Sequence, residues 1–281
     1  MVTHSDRHQA SIPTPDCGCL SVSRLGTETG PATLVYLHNP FTSPGYWEPL
    51  TAHLYTRLDG RTGQLVYQQR PAYGRRVGKQ GDNCVSTTGP DDLNTVLDQA
   101  RGAVVLVAHS LACRLVLSWI GKNPRRARTV AGIVLFNPVL EFPIIPADPA
   151  RRVQDELLNH FYRTPNESGR PWHGVNDPLA DRAHINHGAS VAATYGTPAL
   201  TDTTLGVWRC VPTWMLTGSL DPLVPPLRCR ALAERVWADH DCVPGAGHSL
   251  PYTDPRRASQ PILAALEVAY RTHLQDGGEP W

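Results

Sequence analysis

Ser110 stands where a strand-like run meets a helix-like one. Val104-Val105-Leu106-Val107-Ala108-His109 precede it, and Leu111-Ala112 open an amphipathic segment after it. A serine hydroxyl attacks poorly until a neighbouring base takes its proton. A base and an acid both lie downstream, each on a loop of its own. Asp221 belongs to Thr217-Gly218-Ser219-Leu220-Asp221-Pro222-Leu223-Val224-Pro225, just past the apolar run Thr213–Leu216. His248 belongs to Pro244-Gly245-Ala246-Gly247-His248-Ser249, whose glycines allow a tight loop presenting the imidazole. In such a set the histidine accepts the serine proton, and the aspartate fixes its tautomer and stabilises the imidazolium. A serine after a strand can also be incidental. Three separate segments in matching contexts argue against that.

Those residues need a frame, and the hydrophobic pattern supplies one. Thr33–Leu37, Leu65–Gln68, Val104–Ala108, Ile133–Phe136 and Thr213–Leu216 are short, nearly continuous apolar runs. Such runs suit parallel strands buried on both faces. Helical stripes separate them: Leu93, Val96, Leu97 and Ala100; then Ala112, Leu115, Val116, Trp119 and Ile120; and near the end Ile262, Leu263, Leu266, Ala269, Tyr270 and His273. Asp254-Pro255 supplies an N-cap and a first-turn proline for the last stripe. The alternation predicts an α/β class with a mostly parallel central sheet flanked by helices. It breaks between Pro138 and Val207, a stretch too long for a plain loop. The expected organisation is a flexible leader over 1–19, a core from 20–137 and 208–275, and a helical cap inserted at 138–207. Helix-like patches at 150–163 and 189–195 mark the cap.

Bulk composition narrows the partners. The net charge of +1, with 41% hydrophobic and 18% charged residues, removes the electrostatic case for nucleic acid or an anionic membrane. A small-molecule substrate is expected instead, and a homodimer is compatible with the composition but not derivable from it. The seven cysteines are scattered and odd in number, so no disulfide framework is predicted. Cys17 and Cys19 are expected as thiols in the leader. No secretory h-region or membrane-length apolar run is present, so the expected compartment is the cytoplasm. His173, His184 and His187 lack regular metal spacing, so neither metal nor cofactor is expected.

The chain resembles the α/β-hydrolase superfamily, in its cap-bearing branch, over roughly residues 20–273. The resemblance rests on His38-Asn39 after a strand, the Ser110 turn, the G-x-x-D-x-x-x-P run Gly218–Pro225 and the G-x-G-H run Gly245–His248. The order serine, aspartate, histidine is the one this fold uses. The turn around Ser110 departs from G-x-S-x-G, with Ala108 and Ala112 at its small positions. The resemblance implies that Ser110, Asp221 and His248 are catalytic and that the Leu111 N–H faces the oxyanion. In the family the second oxyanion donor is the N–H of the residue after glycine in an H-G-x-P stretch. This chain reads His38-Asn39-Pro40-Phe41, and an ungapped match puts Pro40, which has no N–H, at the donor position. Either the Phe41 N–H or the Asn39 side-chain amide replaces it, or the loop takes another path. His38, His109 and Trp172 are candidate substrate contacts, each histidine having a hydrogen-bonded structural role as its alternative. Phe161, Tyr162 and Tyr195 are further candidates in the cap. Arg70, Arg75 and Arg76 suit an acidic substrate or a solvated loop.

The expected activity is that of a serine hydrolase for an ester, thioester or lactone of a medium-sized apolar or aromatic metabolite. Pro40 keeps open a non-hydrolytic enzyme of specialised metabolism, working by acid/base cyclisation, elimination or carbon–carbon bond formation. A receptor that binds its ligand with little turnover is the third reading.

Overall fold

Five of the strands follow the apolar runs closely, because each run is buried on both sides. The structure is a computed structural model, and it describes residues 7–38, 42, 44–70, 89–140, 200–221 and 223–275. The strands are β1 (Arg7–Pro13), β2 (Cys19–Leu25), β3 (Ala32–Leu37), β4 (Gly63–Tyr67), β5 (Ala103–His109), β6 (Gly132–Phe136), β7 (Thr213–Gly218) and β8 (Asp239–Val243). They form one sheet in the order β1-β2-β4-β3-β5-β6-β7-β8. The β1–β2 and β2–β4 pairs are antiparallel, and every other pair is parallel.

The helices are α1 (Glu48–Arg57), α2 (Gly89–Leu97), α3 (Ala112–Lys122), α4 (Pro124–Ala127), α5 (Asp202–Trp208), α6 (Pro226–Val236), α7 (Leu250–Thr253) and α8 (Pro255–Gln275). Strand alternation sorts the core into two layers. Val35, Leu37, Leu106 and Ala108 pack with α2, α3, α5 and α6 on one face. Leu34, Tyr36, Val105 and Val107 pack with α1 and α8 on the other. Asp254 caps α8 as expected, its Oδ1 accepting the Arg257 N–H at 3.0 Å. No helix among the described residues is long and apolar enough to cross a membrane.

Three expectations are corrected. Residues from Arg7 onward are not a leader: β1 and β2 pair as a hairpin that extends the sheet. Their alternation carries few apolar residues because β1 lies at the edge, largely exposed. The segment ending at Val207 is not all cap either. Leu205, Val207 and Trp208 of α5 share the apolar cluster of α3, so the core resumes by Asp202. The remainder of the proposed cap, from 141 to 199, lies outside the described residues. Finally, Cys17 is disulfide-bonded rather than a free thiol. It sits in a fixed turn at φ +57°, where its N–H reaches the Thr14 carbonyl at 3.0 Å. A cysteine held in one place can meet a fixed partner.

Arg70 also departs from expectation, being neither solvated nor in position to take an acidic substrate. Its guanidinium lies between two buried carboxylates, Asp16 and Asp92, at 3.0 and 2.5 Å. Burial disfavours the charge, but the hydrogen bonds to Asp92 and Asp16 outweigh it and raise the Arg70 pKa above its ordinary value. The cluster ties the hairpin turn, the exit of β4 and the start of α2 together. Arg75 and Arg76 lie outside the described residues.

Removing the cation of such a cluster leaves two buried carboxylates facing each other without the guanidinium between them. Arg70→Ala is therefore expected to lower the unfolding free energy by about 3 kcal/mol in urea. A value within about 0.5 kcal/mol of the parent, as for an exposed pair, would contradict it. The disulfide is read by thiol titration of the denatured chain. Five of the seven cysteines should react before reduction and all seven after it.

Candidate active site

Parallel strands bring their carboxyl ends to one edge, and the chemistry-bearing residues emerge there. β5 ends at His109, and the chain turns abruptly into α3 through Ser110 at φ +56°. A non-glycine residue in the left-handed region costs about 1–2 kcal/mol, so the surroundings must hold it there. They do so through the backbone: the Ser110 N–H donates to the Phe136 carbonyl at 2.9 Å. The Ser110 carbonyl accepts from Cys113 at 3.1 Å and from Val139 at 3.2 Å. Ala108 and Ala112 on either side are fully buried, which explains their small size.

His248 and Asp221 arrive on two interlocked loops. After β7 the Leu220 N–H donates to the Ala246 carbonyl at 2.9 Å, and the Gly245 N–H donates to Ser219 Oγ at 2.8 Å. Gly218 must lack a side chain, since a Cβ there would lie 2.4 Å from the carbonyl oxygens of Ala246 and Gly247. His248 then places Nε2 2.8 Å from Ser110 Oγ and Nδ1 2.7 Å from Asp221 Oδ2. All three residues are buried. A hydroxyl, an imidazole and a carboxylate are thus joined in one hydrogen-bonded chain, an arrangement able to activate a serine.

The Asp221 carboxylate is saturated with donors. Oδ1 accepts the N–H groups of Leu223 and Val224 at 2.8 and 3.1 Å, and Oδ2 accepts the Asn137 side-chain amide at 2.6 Å besides His248. Burial alone would raise its pKa. The hydrogen bond and charge of His248, the Leu223 N–H and the Asn137 amide outweigh that and hold it below the ordinary value.

Asn137 was missed in the sequence. It is fully buried at φ +46° just past β6, and its Oδ1 accepts no hydrogen bond among the described residues. A buried acceptor left unmade costs about 1–3 kcal/mol, so the side chain is arranged for its donor end. Its signal was available: an amide directly after the apolar run Gly132–Phe136, on the edge where Ser110 and Asp221 also emerge.

Other expected residues distribute unevenly. Leu111 lies at the N-cap of α3, where first-turn N–H groups lack intrahelical acceptors, as an oxyanion donor requires. His38 is buried, with Nε2 accepting the Gln69 N–H at 3.2 Å and its carbonyl accepting the Gln69 amide at 2.9 Å. His109 is also buried, with Nε2 2.8 Å from the His248 carbonyl. These contacts describe the structural alternative stated for each. Asn39, Pro40, Phe41 and Trp172 lie outside the described residues, as do Phe161, Tyr162, Tyr195, His173, His184 and His187.

Sheet order, helices on both faces and a serine on a strained turn between strand and helix define an α/β-hydrolase. The chain belongs to the alpha/beta hydrolase family, whose model matches residues 34–259. No curated protein matches it in a sequence search. Among solved structures it is similar to a carboxylesterase from Nitrososphaera gargenis, with a TM-score of 0.63 at 14% identity, covering 94% of this chain and 100% of that one. It is also similar to an esterase from Rhodococcus sp. ECU1013, with a TM-score of 0.63 at 17% identity, covering 92% and 99%. A thermophilic esterase from Thermogutta terrifontis is a third, with a TM-score of 0.57 at 19% identity, covering 94% and 99%. At these identities the likeness is one of fold.

A carboxylate whose pKa is depressed on folding stabilises the fold above its unfolded pKa. That contribution is lost as the pH falls through the folded value. Asn137→Ala removes one donor that depresses Asp221, so its carboxyl titration should move to higher pH. NMR of the side-chain carboxyl carbon reads this directly, and an unmoved titration would show the amide to be energetically idle.

Proposed function

We propose that the protein is a serine hydrolase acting on carboxylic esters, with thioesters and lactones as chemically equivalent substrates. The observation that carries this is the continuous chain from Ser110 Oγ through His248 to Asp221, at 2.8 and 2.7 Å. Ser110 Oγ attacks the carbonyl carbon while its proton passes to His248 Nε2. The Leu111 N–H faces the oxygen on which charge develops, and one such donor contributes on the order of 10²–10³ in rate. The tetrahedral species collapses, the leaving oxygen takes the proton from His248, and an acyl-serine remains. Water then attacks the acyl carbon, giving its proton to His248, which returns one to Ser110 as the acid is released. Asp221 stays ionised throughout, holding the imidazole tautomer and stabilising the imidazolium. Structural neighbours described as carboxylesterase and esterase support this reading. A near-neutral charge balance favours an uncharged, medium-sized apolar or aromatic ester as substrate.

Pro40 supports a second reading. A proline at the second oxyanion position cannot donate there, and a weakened hole suits acid/base chemistry by His248 without an acyl-enzyme. As for compartment, the disulfide at Cys17 favours an oxidising environment over the reducing cytoplasm expected from the lack of a secretory h-region.

Incubation with a fluorophosphonate distinguishes the mechanisms. Ser110 should be labelled stoichiometrically, and Ser110→Ala should abolish both labelling and hydrolysis of p-nitrophenyl esters. Substantial turnover by Ser110→Ala, with His248→Ala inactive, would favour the non-hydrolytic reading instead.

A further inference from the structure

His109 is adjacent in sequence to Ser110 yet points away from open space. It is fully buried, and its ring is fixed by aromatic neighbours on the turn Pro44–Trp47. Tyr46 stacks against it at 4.7 Å with the planes 18° apart, and Trp47 meets it edge-on at 6.4 Å and 88°. Held this way, Nε2 lies 2.8 Å from the main-chain carbonyl oxygen of His248. A carbonyl only accepts, so Nε2 carries the proton and donates. Burial, and then the proximity of His248, push the His109 pKa well below its ordinary value, although the carbonyl contact and Asp221 act the other way.

We propose that His109 is a positioning residue: its Nε2–H fixes the main chain of His248 and thereby the register of the imidazole against Ser110 Oγ. The base loop is tied through Gly245 and Ala246 to the acid loop, but those bonds lie two and three residues before the base. His109 acts on His248 itself. The two rings lie 4.9 Å apart and tilted by 53°, close enough that a charged His109 would oppose the imidazolium formed during catalysis. Its buried, neutral ring supplies the donor without that penalty. The strand that ends in the nucleophile therefore also carries the restraint on the base, and Ser110 and His248 are set relative to one rigid element.

The proposal rests on the reading of Ser110 as nucleophile, and two variants separate the two. His109→Phe keeps a ring against Tyr46 and removes the donor; His109→Gln places an amide N–H near the former Nε2. In folded protein, fluorophosphonate labelling of Ser110 should slow about 10- to 100-fold in His109→Phe, as expected for a sub-ångström loss of alignment. His109→Gln should recover to within a few-fold of the parent. With a p-nitrophenyl ester the loss should fall on kcat and leave KM unchanged. The low-field Nδ1 proton of His248, read by NMR, should be sharp in the parent and in His109→Gln and broadened in His109→Phe. Equal labelling in parent and His109→Phe overturns the proposal, and so does an equal loss in both variants, which would assign the effect to packing. If the parent itself is unlabelled, the nucleophile reading fails, and the Nδ1 proton still decides the role of His109.

Discussion

An ionised carboxylate inside the protein sets the terms for the rest of the site. Asp221 is almost out of reach of solvent, and burial favours its neutral form. Five polar atoms compete with that tendency or share its result: the N–H groups of Leu223 and Val224, the Asn137 amide, the His248 ring and, through it, the Ser110 hydroxyl. Apart from the two adjacent backbone donors, each comes from a different place in the chain. β6 delivers Asn137, β7 and its loop deliver Asp221 with its own backbone donors, and the loop after β8 delivers His248. A parallel sheet is the economical way to do this, because its carboxyl ends converge on one edge.

The sheet's burial on both faces explains why the core strands could be read directly from apolar runs. Positions such as Leu34 and Val35 face opposite layers, yet both are enclosed. The strands that escaped are those with solvent on one side. β8 reads Asp-His-Asp-Cys-Val and, among the described strands, pairs with β7 alone, so it has no apolar run to betray it. β1 and β2 carry serine, arginine and glutamine at their open positions. The pattern signals burial more than it signals strand, and it fails where burial fails.

The site was legible to a similar extent and for a related reason. Ser110, Asp221 and His248 sit in turns whose small residues are a local requirement, so sequence neighbours reveal them. Asn137 follows its strand directly, which marks the edge it stands on, but its partner Asp221 lies 84 residues further along and no local spacing names it. Arg70 shows the converse. An arginine-rich stretch looks solvated, yet one member is enclosed by Asp16 and Asp92, carboxylates brought in by the hairpin turn and by α2. Cys17 follows the same logic, since a disulfide depends on a meeting in space rather than on spacing.

The close approach at Gly218 has a consequence for how such a site can change over time. Two carbonyl oxygens of the His248 loop occupy the volume where a side chain would begin, and Ser219 and Leu220 fasten the same loop by hydrogen bonds. The stretch bearing Asp221 and the stretch bearing His248 are thus two halves of one mould. A replacement at Gly218 would displace His248 without touching it, and a lengthened His248 loop would push on Asp221. These two stretches are therefore constrained to vary together or not at all.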